Sequence, residues 1–198
     1  SGSFDQPSSV NLTAAAGMNS IVKKYEVLSA EELYMLKRER YEMDGLPIPS
    51  SVPWNDPYYS VTRTDWQDEF FRNGLFQDYV ASITGGGEKS AYSLNINYRD
   101  EEGTQLNTYF KRYGASLKGT QQIAKGFTLD ESIRIASTQG RFNEAPEGTS
   151  STLFAAYRFV PAIPLRYEDG EWGSGQAHTQ LGDMWNPVYK TTDEWRYD

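Results

Sequence analysis

The chain has 198 residues, with 19 basic and 27 acidic side chains and a formal net charge of −8 at pH 7. It contains one histidine and no cysteine, which excludes disulfides, thiolate metal sites and multi-histidine zinc sites. Because an acidic chain is repelled by phosphate backbones, the composition argues against nucleic-acid binding. No run approaches the roughly 18–20 apolar residues of a membrane helix, whereas membrane strands leave a much weaker signal and are not excluded.

Aromatic residues are unusually frequent for so polar a chain. There are 14 tyrosines, 9 phenylalanines and 5 tryptophans, although hydrophobic residues make up only 38% of the sequence. Such a composition is typical of carbohydrate-binding modules, lectin-like sandwiches and outer-membrane barrels, in which the rings form girdles at the membrane interfaces. Composition alone does not choose among these three classes.

The first predicted element is a strand near residues 10–22, where apolar and polar or small side chains alternate from Val10 to Met18. A helix near residues 30–43 follows. It begins at the capping box Ser29-Ala30-Glu31-Glu32 and ends at Asp44-Gly45. We interpret this helix as a surface element, and residues 44–74 as a long loop.

Four further segments alternate with a period of two residues, which predicts strands near 75–84, 90–99, 108–121 and 127–138. Each is about ten residues or longer, which matches the ~9–11 residues of a tilted transmembrane strand rather than the ~5–6 of an average globular strand. Glu131 falls on the apolar face of the last segment. A bulge in that strand, a position at the membrane interface, or a fold other than a barrel would each explain it.

The predicted connections alternate between short and long. Gly85–Lys89 and Gln122–Gly126 are tight, whereas residues 23–74 and 139–190 are long. Short turns at one end of a sheet and long loops at the other are typical of outer-membrane barrels, whose short turns face the periplasm. The sequence therefore predicts an all-β fold of antiparallel up-and-down strands that form part of a large transmembrane β-barrel, with one short helix in a long extracellular loop.

Motifs that could carry chemistry are weak. Gly85–Ser90 has no glycine directly before its lysine and no helical pattern after it, so we interpret it as a hairpin turn and not a phosphate-binding loop. His178 lies among glycine, serine and glutamine and is interpreted as a loop residue, and the acidic residues at 100–102 and 168–169 as turn residues. We predict no enzyme: no catalytic residue, no cofactor and no metal site.

The predicted loops hold several aromatic residues that are candidates for contact with a ligand or a partner. They are Trp54, Tyr58, Tyr59, Trp66, Tyr167, Trp172 and Trp185. Such rings could stack on a sugar or peptide ligand, or anchor a partner protein. For any single ring, packing of the long loops against each other is the favoured interpretation.

Several short segments, read together, resemble one family. They are Thr64–Arg72 (TDWQDEFFR), Ala81–Gly86, Tyr98–Gly103 and Phe110–Tyr113, with a weaker likeness at Lys23–Leu33, Arg158–Trp172 and Asn186-Pro187. In order and spacing, over roughly Val10–Asn143, the sequence resembles the early barrel region of SusC/RagA-type TonB-dependent transporters.

This resemblance implies an importer of glycans, oligosaccharides or peptides in the cell outer membrane of a Gram-negative bacterium. It implies outer-membrane lipid around the strands, energy from the TonB complex, and a SusD-like surface lipoprotein as partner. Transporters of this family enclose a plug domain in a barrel of ~22 strands. Since residues 1–198 show neither a plug nor a TonB-contacting segment, we expect an N-terminal portion of the barrel, an incomplete fragment that does not transport alone.

Two alternatives remain open on the sequence. A soluble carbohydrate-binding β-sandwich would explain the aromatics and the polarity, and it predicts strands of about five or six residues. A secreted hydrolase that uses His178 or a pair of carboxylates is the second alternative.

Overall fold

The computed structural model describes residues 4–49, 59, 62–142, 151–174 and 184–192. The chain divides into two units. The strand unit comprises Ser1–Ser20, Asn73–Gly103 and Thr108–Phe142, and the helix unit comprises Ile21–Arg72, Thr104–Asn107 and Asn143–Asp198. The two units are described separately below.

The strand unit is one five-stranded antiparallel sheet in which the strand order follows the chain order. Its strands are β1 (Ser9–Asn19), β2 (Gly74–Gly87), β3 (Ser90–Glu102), β4 (Tyr109–Ala124) and β5 (Phe127–Arg141). At 11 to 16 residues each they are long for a globular sheet. The predicted all-β, antiparallel up-and-down arrangement is confirmed.

Regular register places the apolar side chains of all five strands on one face. Two adjacent rows run across the sheet, Val10–Ile83–Leu94–Leu117–Ile133 and Leu12–Ala81–Ile96–Ala115–Ile135. The opposite face carries mainly asparagine, serine, threonine and charged residues, because successive side chains of a strand point to opposite sides. The apolar face is open: Leu12 is 74% exposed and Ile135 67%.

Tyrosines border the two aliphatic rows on both sides. Tyr79, Tyr98 and Tyr113 form the next row on one side, with ring centroids 6.2 Å and 4.9 Å apart. Beyond this row the same face turns polar, and Lys111 donates to Asp100 at 3.0 Å. The row on the other side contains Tyr92 between Gly85 and Gly119, so the aliphatic band has three tyrosines on one border and one on the other.

Glu131 lies on this apolar face, opposite Gly119 and in the row of Tyr92. Its strand pairs in regular register there; the irregularity between β4 and β5 lies between Gln122 and Ala124. A bulge at Glu131 is therefore excluded, and its carboxylate belongs to the row that borders the aliphatic band.

The strand limits differ from the predicted ones at the loop ends. β1 ends at Asn19, whereas β3 and β5 continue to Glu102 and Arg141. The hairpin turns are also tighter than predicted, because pairing extends to Gly87 opposite Ser90. At the second tight turn the backbone reverses through Gly126, whose φ of +79° suits glycine.

The helix unit contains α1 (Ala30–Met43), α2 (Trp66–Phe70), α3 (Thr152–Arg158) and α4 (Pro187–Thr192). The last three lie within residues 44–74 and 139–190, which the sequence predicts as long loops. Side chains at their N-termini explain why they form: Asp65 caps α2 and Ser151 caps α3. None of the helices in the described ranges has the length and apolar character needed to cross a membrane.

Candidate ligand- and partner-contact surface

The structure separates the candidate aromatic residues by burial. Trp54 and Tyr58 lie outside the described residues. Tyr59 and Trp66 are in the interior of the helix unit, 8% and 3% exposed. They belong to a hydrophobic core with Ala30, Phe159, Ala162, Ile163 and Val188. Rings buried in this way offer almost no surface to a ligand.

Trp66 is held by both its ring and its indole nitrogen. Its Nε1 donates to the carbonyl oxygen of Val160 at 3.0 Å, and its ring meets that of Phe159 edge-on at 4.6 Å. The preceding Thr64 donates from its hydroxyl to the carbonyl of Ile163 at 2.7 Å. Residues of the T-D-W-Q-D-E segment thus attach α2 to the chain around residues 160–163.

Gln67 attaches α2 to a second part of the chain. Its Nε2 donates to the carbonyl of Tyr25 at 2.7 Å, and its Oε1 accepts from the Tyr25 N–H at 2.9 Å. Asp68 forms an ion pair with Lys24 beside these bonds. Gln67 is 2% exposed, and sequence reasoning missed its role because a glutamine in a polar segment carries no signal of burial.

An aromatic contact accompanies this attachment. The ring of Tyr25 meets that of Tyr157 edge-on at 4.9 Å, and Phe71 lies 6.0 Å from Tyr157 on another side. Burial, and secondarily the proximity of Tyr25, raise the pKa of the Tyr157 hydroxyl above its ordinary value.

Tyr167 and Trp172 lie in a small hairpin. Arg166 and Trp172 form an isolated antiparallel β-bridge, and the Tyr167 N–H donates to the carbonyl of Glu171 at 2.8 Å. The Arg166 guanidinium lies 3.6 Å from the centroid of the Trp172 ring, a cation–π contact, and Tyr189 lies 5.9 Å away. One face of the half-buried Trp172 ring is therefore already occupied.

Asn186 connects this hairpin to α4. Its Nδ2 donates to the carbonyl of Gly173 at 3.0 Å and to that of Leu165 at 3.3 Å, while its Oδ1 accepts from the Val188 N–H at 3.0 Å. The adjacent Trp185 is 52% exposed. The structure thus brings Tyr167, Trp172 and Trp185 to one part of the helix unit, and of these Trp185 has the most open ring.

Charged residues on the polar face of the sheet form two different groups. On β2 and β3, Arg99 pairs with Glu101 at 2.7 Å and with Asp78 at 3.6 Å. On β4 and β5, Arg112, Lys118 and Arg134 are exposed and alternate with small and polar side chains.

The described residues give little support to a metal site or to a hydrolase active site. No group of three or more histidine, cysteine, aspartate or glutamate side chains in these ranges is placed to hold a metal ion. His178, the base that a hydrolase would need, lies outside the described residues.

Comparison with known proteins gives two relatives that match nearly the whole chain. It is 24% identical over 203 residues to the TonB-dependent receptor SusC of Bacteroides thetaiotaomicron, and 20% identical over 194 residues to the TonB-dependent receptor P3 of Formosa agariphila. These matches cover 99% and 96% of the chain, which spans only 18% of the length of each relative. No family model matches the sequence.

Solved structures agree on the fold. The RagAB peptide transporter matches with a TM-score of 0.70 at 16% identity, and the RagAB peptide importer in its closed-closed state with 0.69 at 15%. Each match covers 95% of this chain and 24% of the solved one. The fold is that of the matching part of these solved chains, an antiparallel up-and-down sheet with short helices. The predicted resemblance to the SusC/RagA-type TonB-dependent outer-membrane transporters is confirmed.

Proposed function

We propose that this chain supplies wall strands and extracellular loops of a TonB-dependent outer-membrane importer. The observation that carries the proposal is the exposed aliphatic band on one face of the sheet, bordered on one side by Tyr79, Tyr98 and Tyr113 and on the other by the row that contains Tyr92. Aliphatic side chains in lipid, with tyrosines at the two interfaces, are the arrangement expected of a membrane barrel wall.

Strand length supports the same proposal. The shortest strand, β1, has 11 residues, which at ~3.4 Å per residue extends ~37 Å. Tilted by ~40°, it crosses ~28 Å, enough to cover the ~25 Å apolar band of an outer-membrane barrel. Strands of five or six residues, which the β-sandwich alternative predicts, would not.

The partners and substrate follow from the relatives and are part of the proposal. We propose an outer-membrane location in a Gram-negative bacterium and a SusD-like surface lipoprotein as partner. Contact with TonB would be made by parts of the protein outside this chain. The substrate class is a glycan, an oligosaccharide or a peptide; of the solved structures, RagAB is named as a peptide importer. We also propose that the exposed Trp185, with Tyr167 and Trp172 beside it, contacts ligand or partner.

The β-sandwich alternative requires a second sheet over the apolar face. In the described part of the chain there is one sheet, and Leu12, Ile96 and Ile135 remain open on it. The exposed aliphatic face therefore favours lipid over water as its surroundings.

The test places the same charge on the two faces of β3. Ile96 lies in an aliphatic row, and its neighbour Asn95 lies on the polar face. In the complete reading frame expressed in its host, we expect Ile96→Arg to cost ~2–4 kcal/mol if the side chain faces mid-bilayer, and so to reduce the folded, heat-modifiable receptor in outer-membrane fractions. Asn95→Arg is the matched control and should assemble normally. Equal assembly of both variants would contradict the proposal.

A further inference from the structure

The polar face of β4 and β5 carries a stripe of cations, defined here as Arg112, Lys118 and Arg134. All three side chains are exposed. Among the residues that the structure describes, no carboxylate lies within ion-pair distance of any of them. Asp130 is the acidic residue on this face of the two strands, and it accepts a hydrogen bond from the Thr120 hydroxyl at 2.6 Å. The stripe is therefore a locally cationic surface on a chain of net charge −8.

The other half of the same face differs in that its charges are matched. Arg99 pairs with both Asp78 and Glu101, and the Glu101 carboxylate also accepts from the Asn19 amide at 3.1 Å. The sheet thus pairs its own charges on β2 and β3, whereas on β4 and β5 the cations of the stripe have no ion pair within the described ranges.

Register fixes the spacing of the stripe. Lys118 pairs with Ser132 and Arg134 with Ser116, so the two cations are diagonal neighbours, ~7–8 Å apart. Arg112 lies six residues from Lys118 on β4, or ~20 Å along the strand at ~3.4 Å per residue. A length of ~20 Å corresponds to several units of an extended oligomer and greatly exceeds a single small anion.

The surroundings of the stripe keep its cationic groups accessible. The side chains between them on the polar face are small, namely Gly114, Ser116, Ser132 and Ala136. Long lysine and arginine side chains project beyond such neighbours, so their charged ends stand free of the sheet surface. This arrangement suits several weak contacts with a chain of anions.

We propose that the stripe binds a linear oligomer with repeated carboxylate or other anionic groups, and that the importer therefore takes an acidic substrate. The inference rests on the function proposed above, in which this face lines the interior of the barrel. A local row of cations on this face attracts such a substrate as it passes the wall. This attraction between the cations and the anionic groups weakens with salt, whether the oligomer is a saccharide or a peptide.

The experiment uses the receptor purified in detergent from its own outer membrane. The acidic probes are hexagalacturonate and hexaglutamate, and their uncharged counterparts are methyl-esterified hexagalacturonate and hexaglutamine. By isothermal titration at 50 mM and 300 mM salt we expect both acidic probes to bind at least tenfold more tightly than their counterparts at low salt, and to lose that advantage at high salt.

Variants assign the effect to the stripe. Lys118→Gln combined with Arg134→Gln should reduce the affinity for both acidic probes about tenfold and leave the uncharged probes unaffected. The matched control, Lys89→Gln combined with Lys125→Gln, removes the same charge from exposed side chains at the two hairpin turns and should bind as the wild type does.

Equal binding of the acidic probes by the stripe variant and the wild type would overturn the inference. If the stripe variant then also loses thermal stability, the cations hold a neighbouring acidic polypeptide surface instead. The heat-modifiability of the wild type in outer-membrane fractions is measured first. If the protein is absent from that membrane, the proposed function itself is refuted, and not only the inference about the stripe.

Discussion

Gln67 shows how a single polar residue fixes the course of the chain. Both ends of its amide bond to the backbone of Tyr25, the pairing that a neighbouring strand would provide, while the helix that carries it is anchored through Trp66 to Val160. The T-D-W-Q-D-E segment therefore acts as a junction between distant parts of the helix unit. Trp66 and Gln67 of this segment thus have structural roles in this chain.

Replacing Gln67 by alanine should release Tyr25. The two hydrogen bonds of its buried amide are together worth ~1–3 kcal/mol, so we expect residues 23–26 to exchange their amide hydrogens faster in Gln67→Ala, with exchange in β3 unchanged. Hydrogen–deuterium exchange with mass spectrometry measures both regions. Gln77→Ala is the control, because Gln77 is exposed and accepts one bond, from the Tyr79 hydroxyl. Wild-type exchange at residues 23–26 in Gln67→Ala would contradict this role.

At the scale of elements, the strands were predictable and the short helices were not. The strands run for 11 to 16 residues, so the alternation of side chains repeats many times and exceeds chance. The helices α2, α3 and α4 have five to seven residues, less than two turns, and no 3.6-residue period can be recognised in so few positions. They depend instead on caps and on packing with residues far away in sequence.

The same limit applies to the candidate contact residues. Trp66 and Trp185 both stand in polar segments and look alike in the sequence, but one is 3% exposed and the other 52%. Trp66 is buried by residues near position 160, over ninety positions away. Sequence identifies the residue type, whereas long-range contacts decide which ring remains open to a ligand.

The helix α1 was predictable because its N-terminal signal is local. The Ser29 N–H donates to Glu32 Oε2 at 2.8 Å and the Glu32 N–H donates to the Ser29 hydroxyl at 3.2 Å, as the sequence motif requires. The bond from the Ser29 N–H, and secondarily a hydrogen bond with the Ser29 side chain, lower the pKa of the Glu32 carboxyl below its ordinary value near 4.5.

Since the folded state lowers this pKa, the capping box stabilises the helix above pH 4.5 and the contribution is lost as the pH falls below it. In a blocked peptide of residues 27–46 at a fixed trifluoroethanol content, we expect ellipticity at 222 nm to weaken on acidification. Glu32→Gln should largely remove this loss of helicity on acidification, because an amide does not ionise, whereas Glu31→Gln leaves the box intact and should keep it. Ser29→Ala should lower helicity at neutral pH, since a lost N-cap costs ~0.5–2 kcal/mol. A loss on acidification that Glu32→Gln leaves unchanged would contradict the assignment.

At the scale of the whole molecule, the open question is what covers the aliphatic face of the sheet. Lipid and a second protein layer both remove such side chains from water, but they differ in which small molecules can reach the side chains. Oxygen dissolves in hydrocarbon and a polar nickel chelate does not, whereas neither penetrates a close-packed protein interior efficiently. The barrel and the β-sandwich therefore predict different collision patterns for a spin label at the same position.

The chain contains no cysteine, so each introduced thiol is unique within it and can carry a nitroxide label. With labels in turn at Leu94, Asn95, Ile96 and Asn97 of the complete protein in lipid vesicles, we expect high oxygen and low nickel accessibility at the first and third positions. The polar-face positions between them should show the reverse, because side chains alternate along β3. Low accessibility to both reagents at Leu94 and Ile96 would instead indicate a protein-covered face, and the importer assignment would then fail together with the lipid-facing wall on which it depends.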